Sequence, residues 1–261
     1  MTEYTTSSAG DRVAYDRYGS GPAIVFIAGA GPSRASDPGT SQTAAAAGRH
    51  GITTIVYDRL GRGESPAQGD LTLDRELSAL EALLELAGGS AALCGHSSGC
   101  TIALAAAVRG LPVTGLLLWE APLGGVSDAK NWSVEFGRLV SAGELEQAQM
   151  LYMKDMPPEW LDGARRSPAW PAIYGQAGSL RADAESIAWA ESAPLAELLR
   201  DIAIPVEVAV GRDTLPIMTA AAAALVAAIP GAESVILPGA DHSWDPLPMA
   251  EEVARFVRSL S

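Results

Sequence analysis

Six short runs of almost uninterrupted apolar residues recur along the chain: AIVFIAG (residues 23–29), ITTIVYD (52–58), AALCG (91–95), VTGLLLWE (113–120), VEVAVG (206–211) and ESVILPG (233–239). A strand that is apolar on both faces must be covered on both, which is what a parallel sheet between two layers of helices requires. Helical patterns fill the gaps. Leu73, Leu77, Leu80 and Leu84 repeat at helical spacing before Gly88 and Gly89, and Val253, Phe256, Val257 and Leu260 do the same near the C-terminus. Two alternating segments, Glu3 to Ser8 and Val13 to Tyr18, predict an antiparallel start. The whole pattern is that of an α/β chain with a doubly wound sheet.

The alternation breaks once, between the run ending at Glu120 and the one opening near Pro205. Residues 122–195 carry helical patterns and no convincing strand, too long a stretch for a plain connection, so they predict a helical insert over the sheet edge. The core then consists of residues 1–121 and 196–261. Large soft side chains crowd the insert, among them Trp132, Phe136, Met153 and Trp160. Most are expected in a small core of the insert itself, while several facing down would line a pocket for an adaptable, mainly apolar ligand.

Charge narrows the partners. Eighteen Lys and Arg against 31 Asp and Glu leave a formal net charge of −13, which repels phosphate backbones and anionic lipid surfaces. The expectation is no nucleic acid, no membrane, and a small-molecule substrate for a monomer or homodimer. No apolar run reaches the roughly 18 residues needed to span a bilayer, and MTEYTTSSAGDR lacks the basic and apolar regions of a signal peptide, so the chain reads as soluble and cytoplasmic. Two cysteines, Cys94 and Cys100, and three histidines are a thin ligand set for a structural zinc, and no metal is expected.

The stretch Leu93-Cys-Gly-His-Ser-Ser-Gly-Cys100 follows one apolar run and leads into small helix-forming residues from Thr101 onward. Within it Gly95, Ser97 and Gly99 form Gly-x-Ser-x-Gly between strand and helix, a strained bend that exposes the serine where a helix dipole favours negative charge. Ser98 starts the helix and is expected to offer its backbone N–H. Both cysteines read as small core residues. His96, beside Ser97, reads as a wall or packing group, and His50 as solvated or capping.

With this motif in that setting, the chain resembles the α/β-hydrolase fold family over almost its whole length. The resemblance implies a mostly parallel, eight-stranded, doubly wound sheet with an inserted helical cap. It also implies a base for Ser97: His242, in LPGADHSW (residues 237–244) after the last strand, stands where family members carry their catalytic histidine. The acid is open between two residues. The family pattern after the strand VEVAVG puts an aspartate three residues beyond the glycine, where this chain has Thr214; Asp213 is the favoured acid, in a variant form of that loop. Glu120, closing VTGLLLWE, is the alternative, because some members supply the acid from that strand.

For the oxyanion donors the family implies the N–H groups of Ser98 and of Ala30, in the loop IAGAGPS (residues 27–33), where Ala28 replaces a common loop-bracing histidine. The turn YDRLGRGES (residues 57–65) resembles the family's turn after the next strand and reads as structural, since its Gly-x-Gly lacks a P-loop ending, with Asp58 or Arg59 as an alternative brace for the active site. His96, Trp132, Phe136, Met153, Trp160 and Trp244 are the candidate pocket lining. The expected activity is cofactor-free hydrolysis of an ester, thioester or lactone through an acyl-enzyme on Ser97. A fold does not fix a function, and lyases, cofactor-free oxygenases and small-molecule receptors of the family use the same pocket.

Overall fold

In the computed structural model, which describes residues 2–260, nine strands form a single sheet. In chain order they are β1 (Glu3–Thr6), β2 (Arg12–Gly19), β3 (Ala23–Ile27), β4 (Thr53–Tyr57), β5 (Ala91–His96), β6 (Val113–Trp119), β7 (Val206–Asp213), β8 (Glu233–Ala240) and β9 (Ser243–Trp244). Their spatial order is β1-β2-β4-β3-β5-β6-β7-β8-β9. β1, β2 and β4 pair antiparallel, and β4, β3, β5, β6, β7 and β8 are mutually parallel. The sheet is therefore mostly parallel with an antiparallel start. One strand exceeds the expected eight: the two-residue β9 folds back on the end of β8, too short to leave an alternation in the sequence.

The helices are α1 (Pro38–Ala47), α2 (Leu73–Leu86), α3 (Ser98–Val108), α4 (Ala129–Ser141), α5 (Leu145–Tyr152), α6 (Pro158–Arg166), α7 (Trp170–Gly175), α8 (Arg181–Ala190), α9 (Leu195–Leu198), α10 (Pro216–Ala228) and α11 (Pro246–Ser259). α2 begins where Thr72 Oγ1 accepts the Arg75 N–H, and the chain leaves it through Gly88 and Gly89, both at positive φ. Successive strand residues face opposite ways. Val25 and Ile27 join Leu77, Leu80 and Ile102 in one apolar cluster; Ile24 and Phe26 join Ala44, Met249 and Val253 in the other. That two-sided burial is why the strands read as continuous apolar runs.

Because β4 lies on one side of β3 and β5 on the other, the chain reverses its winding there, and the loops leaving β3 and β5 part to open a crevice at the strand ends. Register brings neighbouring elements to the same end: Ile27 pairs with Gly95, His96 with Trp119, and Trp119 with Ala209. Residues just past β3, β5, β6 and β7 therefore surround the crevice. Helices α4 to α9 connect β6 to β7 and carry a third apolar cluster that includes Trp132, Phe136, Tyr152, Leu180 and Ile187. α8 of this segment packs against α3, the helix that follows Ser97. Among the described residues, no helix is long and apolar enough to cross a membrane.

Candidate active site

Ser97 stands at the turn from β5 into α3 with φ 55° and ψ −126°, a conformation that a side-chain-bearing residue holds only when its surroundings impose it. Its N–H donates to the Trp119 carbonyl and its carbonyl accepts from the Cys100 N–H, both at 2.9 Å. The two motif glycines allow close backbone approach: a Cβ on Gly99 would stand 2.2 Å from the Ile27 carbonyl oxygen, and one on Gly95 2.7 Å from Cys100 Cα. The turn is thereby drawn against the loop after β3, where a Cβ on Gly29 would come within 2.9 Å of Ser97 Cβ.

His242 lies in the β8–β9 turn, and its Nδ1–H donates to Glu120 Oε2 at 2.6 Å. The other carboxylate oxygen, Oε1, accepts the Gly211 N–H at 2.9 Å, so Glu120 is fixed at both oxygens while only 1% exposed. Burial pushes this carboxyl up, but the hydrogen bonds from His242 and Gly211 outweigh it and hold Glu120 below the ordinary carboxylate range. With Nδ1 donating, Nε2 is the basic nitrogen of the ring. The Ser97 hydroxyl is not itself hydrogen-bonded to His242, whose ring bond runs to Glu120, but both residues line one cavity.

The expectation that Asp213 orients His242 is corrected by this arrangement. Asp213 ends β7 just beyond a register shift, pairs along the sheet with Ala240, and has an exposed side chain. Glu120 directly follows β6, one strand nearer Ser97, and its longer side chain spans from there to both Gly211 and His242. Ser97, Glu120 and His242 have φ of 55°, 49° and 66°, and the meeting of three such non-glycine residues at one crevice is itself a mark of a functional site.

His96 does more than pack. Its Nε2–H donates to the His242 carbonyl at 2.8 Å, bracing the turn that carries that residue. Burial, with the neighbouring His242 ring, pushes the His96 imidazole down to about 4, which keeps it neutral near pH 7. Trp244, expected in the pocket wall, instead lies behind His96, edge-on to its ring at 5.2 Å, and donates its indole N–H to Thr43 Oγ1.

The cavity above Ser97 has a volume of about 940 Å³. His96, Trp132, Met153 and Trp160 line it, together with Ala30 and Ser98. Phe136 does not: it is fully buried behind Trp132 and Tyr152, so its helical spacing with Trp132 reflects core rather than wall. Against a largely apolar surface the cavity includes one buried amide, Gln149 on α5, which is 6% exposed. Gln149 and the buried Asp183 of α8 are site features that the sequence reading missed. Each is a single polar residue in an amphipathic helix and carries no local signal of facing inward. Among the described residues, no group of three His, Cys, Asp or Glu side chains is arranged to hold a metal ion.

Comparison with known families matches residues 24–257 to the alpha/beta hydrolase family. Among solved structures, an alpha/beta hydrolase from Sphaerobacter thermophilus DSM 20745 is similar with a TM-score of 0.77 and 28% identity, over 97% of this chain and 99% of that one. A thermophilic esterase from Thermogutta terrifontis shares the fold at a TM-score of 0.68 and 20% identity, covering 100% of this chain and 99% of its own. The enol-lactonase from Burkholderia xenovorans LB400 does so at 0.67 and 21%, with 99% of each chain covered. No curated protein matches this chain.

Proposed function

The chain belongs to the alpha/beta hydrolase family, and from that premise we propose that it is a serine hydrolase cleaving a carboxylic ester, thioester or lactone of a mainly apolar small molecule. One observation carries the proposal: the 2.6 Å bond from His242 Nδ1 to a doubly anchored Glu120, on a histidine that lines the same cavity as Ser97.

A serine hydroxyl is a weak nucleophile near neutral pH and needs a base whose own orientation is fixed. His242 Nε2 takes the Ser97 proton as Oγ attacks the carbonyl carbon, and Glu120 stabilises the imidazolium that results. Contacts between such a base and its nucleophile are often long before substrate is bound and tighten in the complex. The oxyanion is received by the Ala30 and Ser98 N–H groups; Ser98 opens α3, so its N–H has no acceptor within the helix. His242 then protonates the leaving alkoxide or thiolate, an acyl-enzyme remains on Ser97, and water deprotonated by His242 releases the acid. The apolar cavity under the helical cap suits an alkyl or aryl acyl chain, and its volume is within the range of small-molecule sites.

The test is incubation with a fluorophosphonate probe beside a panel of p-nitrophenyl esters of graded acyl length. The proposal predicts a covalent adduct on Ser97 and turnover of at least one ester, both lost in Ser97→Ala. A folded protein that neither labels nor hydrolyses, while still binding esters, is a receptor and not a hydrolase.

A further inference from the structure

Resting on the hydrolase function proposed above, we propose that Asp183, carried on α8 of the helical cap, is a positioning residue for the oxyanion hole. Through Arg59 and Arg62 it fixes the Gly29–Ala30 peptide, and through its own hydrogen bond it holds Ser98. Seating of the cap and assembly of the oxyanion hole are then one event.

Asp183, Arg59 and Arg62 have fully buried side chains. Asp183 Oδ1 accepts from Arg59 Nη1 and from Ser98 Oγ, each at 2.6 Å, and Oδ2 accepts from Arg62 Nη2 at 2.7 Å. Both guanidiniums reach across to the loop after β3. Arg62 Nη1 donates to the Gly29 carbonyl at 2.5 Å, and Arg59 Nη1 donates to the carbonyls of Ala28 at 3.1 Å and Gly29 at 3.4 Å.

The consequence follows from peptide geometry. In a planar trans peptide the N–H points opposite to the C=O, so the group that pins the Gly29 carbonyl also sets the direction of the Ala30 N–H. That N–H is the proposed oxyanion donor. Two cationic donors on the carbonyl also polarise the peptide and strengthen the donor at its other end. Ala28 has no side chain able to brace this loop, and the brace arrives from the turn after the neighbouring strand β4.

Charge explains why the carboxylate is needed. Two buried guanidiniums side by side repel each other, and Asp183 is the group placed between them; Glu76 meets only one of the two, accepting from Arg59 Nε at 3.1 Å beside the Tyr57 hydroxyl at 2.9 Å. Burial pushes the Asp183 carboxyl up, and the charges of Arg59 and Arg62 outweigh it and hold it below the ordinary carboxylate range. Buried ion clusters are poor stabilisers compared with well-packed apolar groups. Here the cluster converges on one peptide and one residue, the two that flank the developing charge.

The experiment compares Asp183→Asn, Arg62→Lys and Ser186→Ala with the wild type. It measures kcat and KM on p-nitrophenyl butyrate and affinity for butylboronic acid, which forms a tetrahedral adduct with an active serine. Asp183→Asn should lower kcat about a hundredfold, the scale for loss of one oxyanion donor, with KM within about threefold, and should weaken the boronic acid in proportion to kcat. Arg62→Lys keeps a positive charge opposite Asp183 but removes the fork that reaches the Gly29 carbonyl; it should fall at least tenfold in kcat, and it carries the test where Asp183→Asn does not fold. Ser186→Ala removes the contacts to Thr101 Oγ1 and to the Asp183 backbone carbonyl but leaves the Asp183 carboxylate and both guanidiniums in place, and should lower thermal stability with kcat and boronic acid affinity unchanged. Folded Asp183→Asn or Arg62→Lys enzymes with wild-type kcat, or equal losses in KM and boronic acid affinity, would overturn the positioning role. A wild-type protein that is inactive and binds no boronic acid would instead overturn the hydrolase function itself.

Discussion

Glu120 and His242 are 122 residues apart in the chain and 2.6 Å apart in space, joined by a bond between a buried carboxylate and the Nδ1–H of an imidazole. The bond fixes which ring nitrogen is basic. Glu120→Gln should therefore lower kcat/KM for p-nitrophenyl butyrate by about 10³- to 10⁴-fold, the loss seen when a triad acid becomes an amide. Asp213→Asn should stay within about twofold. The comparison needs only steady-state kinetics, and exchange of the two results would move the acid to β7.

The neutral His96 ring predicts a pH dependence of stability. Its folded value of about 4 is below the ordinary 6.5 of an unfolded histidine, so between these values the unfolded chain binds the additional proton. Stability from this group is present above about pH 6.5 and is lost as pH falls toward 4. His96→Gln keeps an N–H able to reach the His242 carbonyl without the titration. Chemical denaturation at pH 7 and pH 4.5 should show wild type losing about 1–3 kcal/mol more than the variant.

Phe136 and Met153 separate core from wall. Phe136 is fully buried in the apolar cluster of the α4–α9 segment, so Phe136→Ala should cost about 3–5 kcal/mol in denaturant unfolding. Met153 lines the cavity, and Met153→Ala should change stability by less than about 1 kcal/mol while shifting the preferred acyl length upward in an ester panel.

Gln149 tests how apolar the substrate is. A buried amide must keep a polar partner when the cavity fills, and a purely alkyl chain supplies none. Gln149→Leu, close in size, should raise kcat/KM for p-nitrophenyl hexanoate by about tenfold, on the scale of one to three kcal/mol for a pocket contact. It should lower kcat/KM for esters with a carbonyl or hydroxyl along the acyl chain.

Much of the fold was legible because burial on both sides of a parallel sheet leaves continuous apolar runs, and the register of such strands follows from their order. The bend at Ser97 was legible, since the backbone around Gly95 and Gly99 admits little else, and so was the place of His242 in the turn after the last long strand. Which carboxylate meets His242 was not. Glu120 directly follows β6 and Asp213 ends the neighbouring β7, and only their three-dimensional reach separates the carboxylate that bonds to His242 from the one that does not. Trp244 was misplaced for a similar reason: β9 turns its side chain behind His96, and two residues are too few to declare a strand. The Arg59, Arg62 and Asp183 cluster joins segments more than one hundred residues apart, Arg59 and Asp183 being separated by 124, and no local pattern marks that meeting.

The most direct test of the central claim is mass analysis of the wild-type protein acid-quenched during the first turnovers of p-nitrophenyl butyrate. The account predicts a butyryl group on the peptide bearing Ser97, absent in Ser97→Ala. Ester turnover that persists in Ser97→Ala, or an acyl group found on another residue, would contradict it.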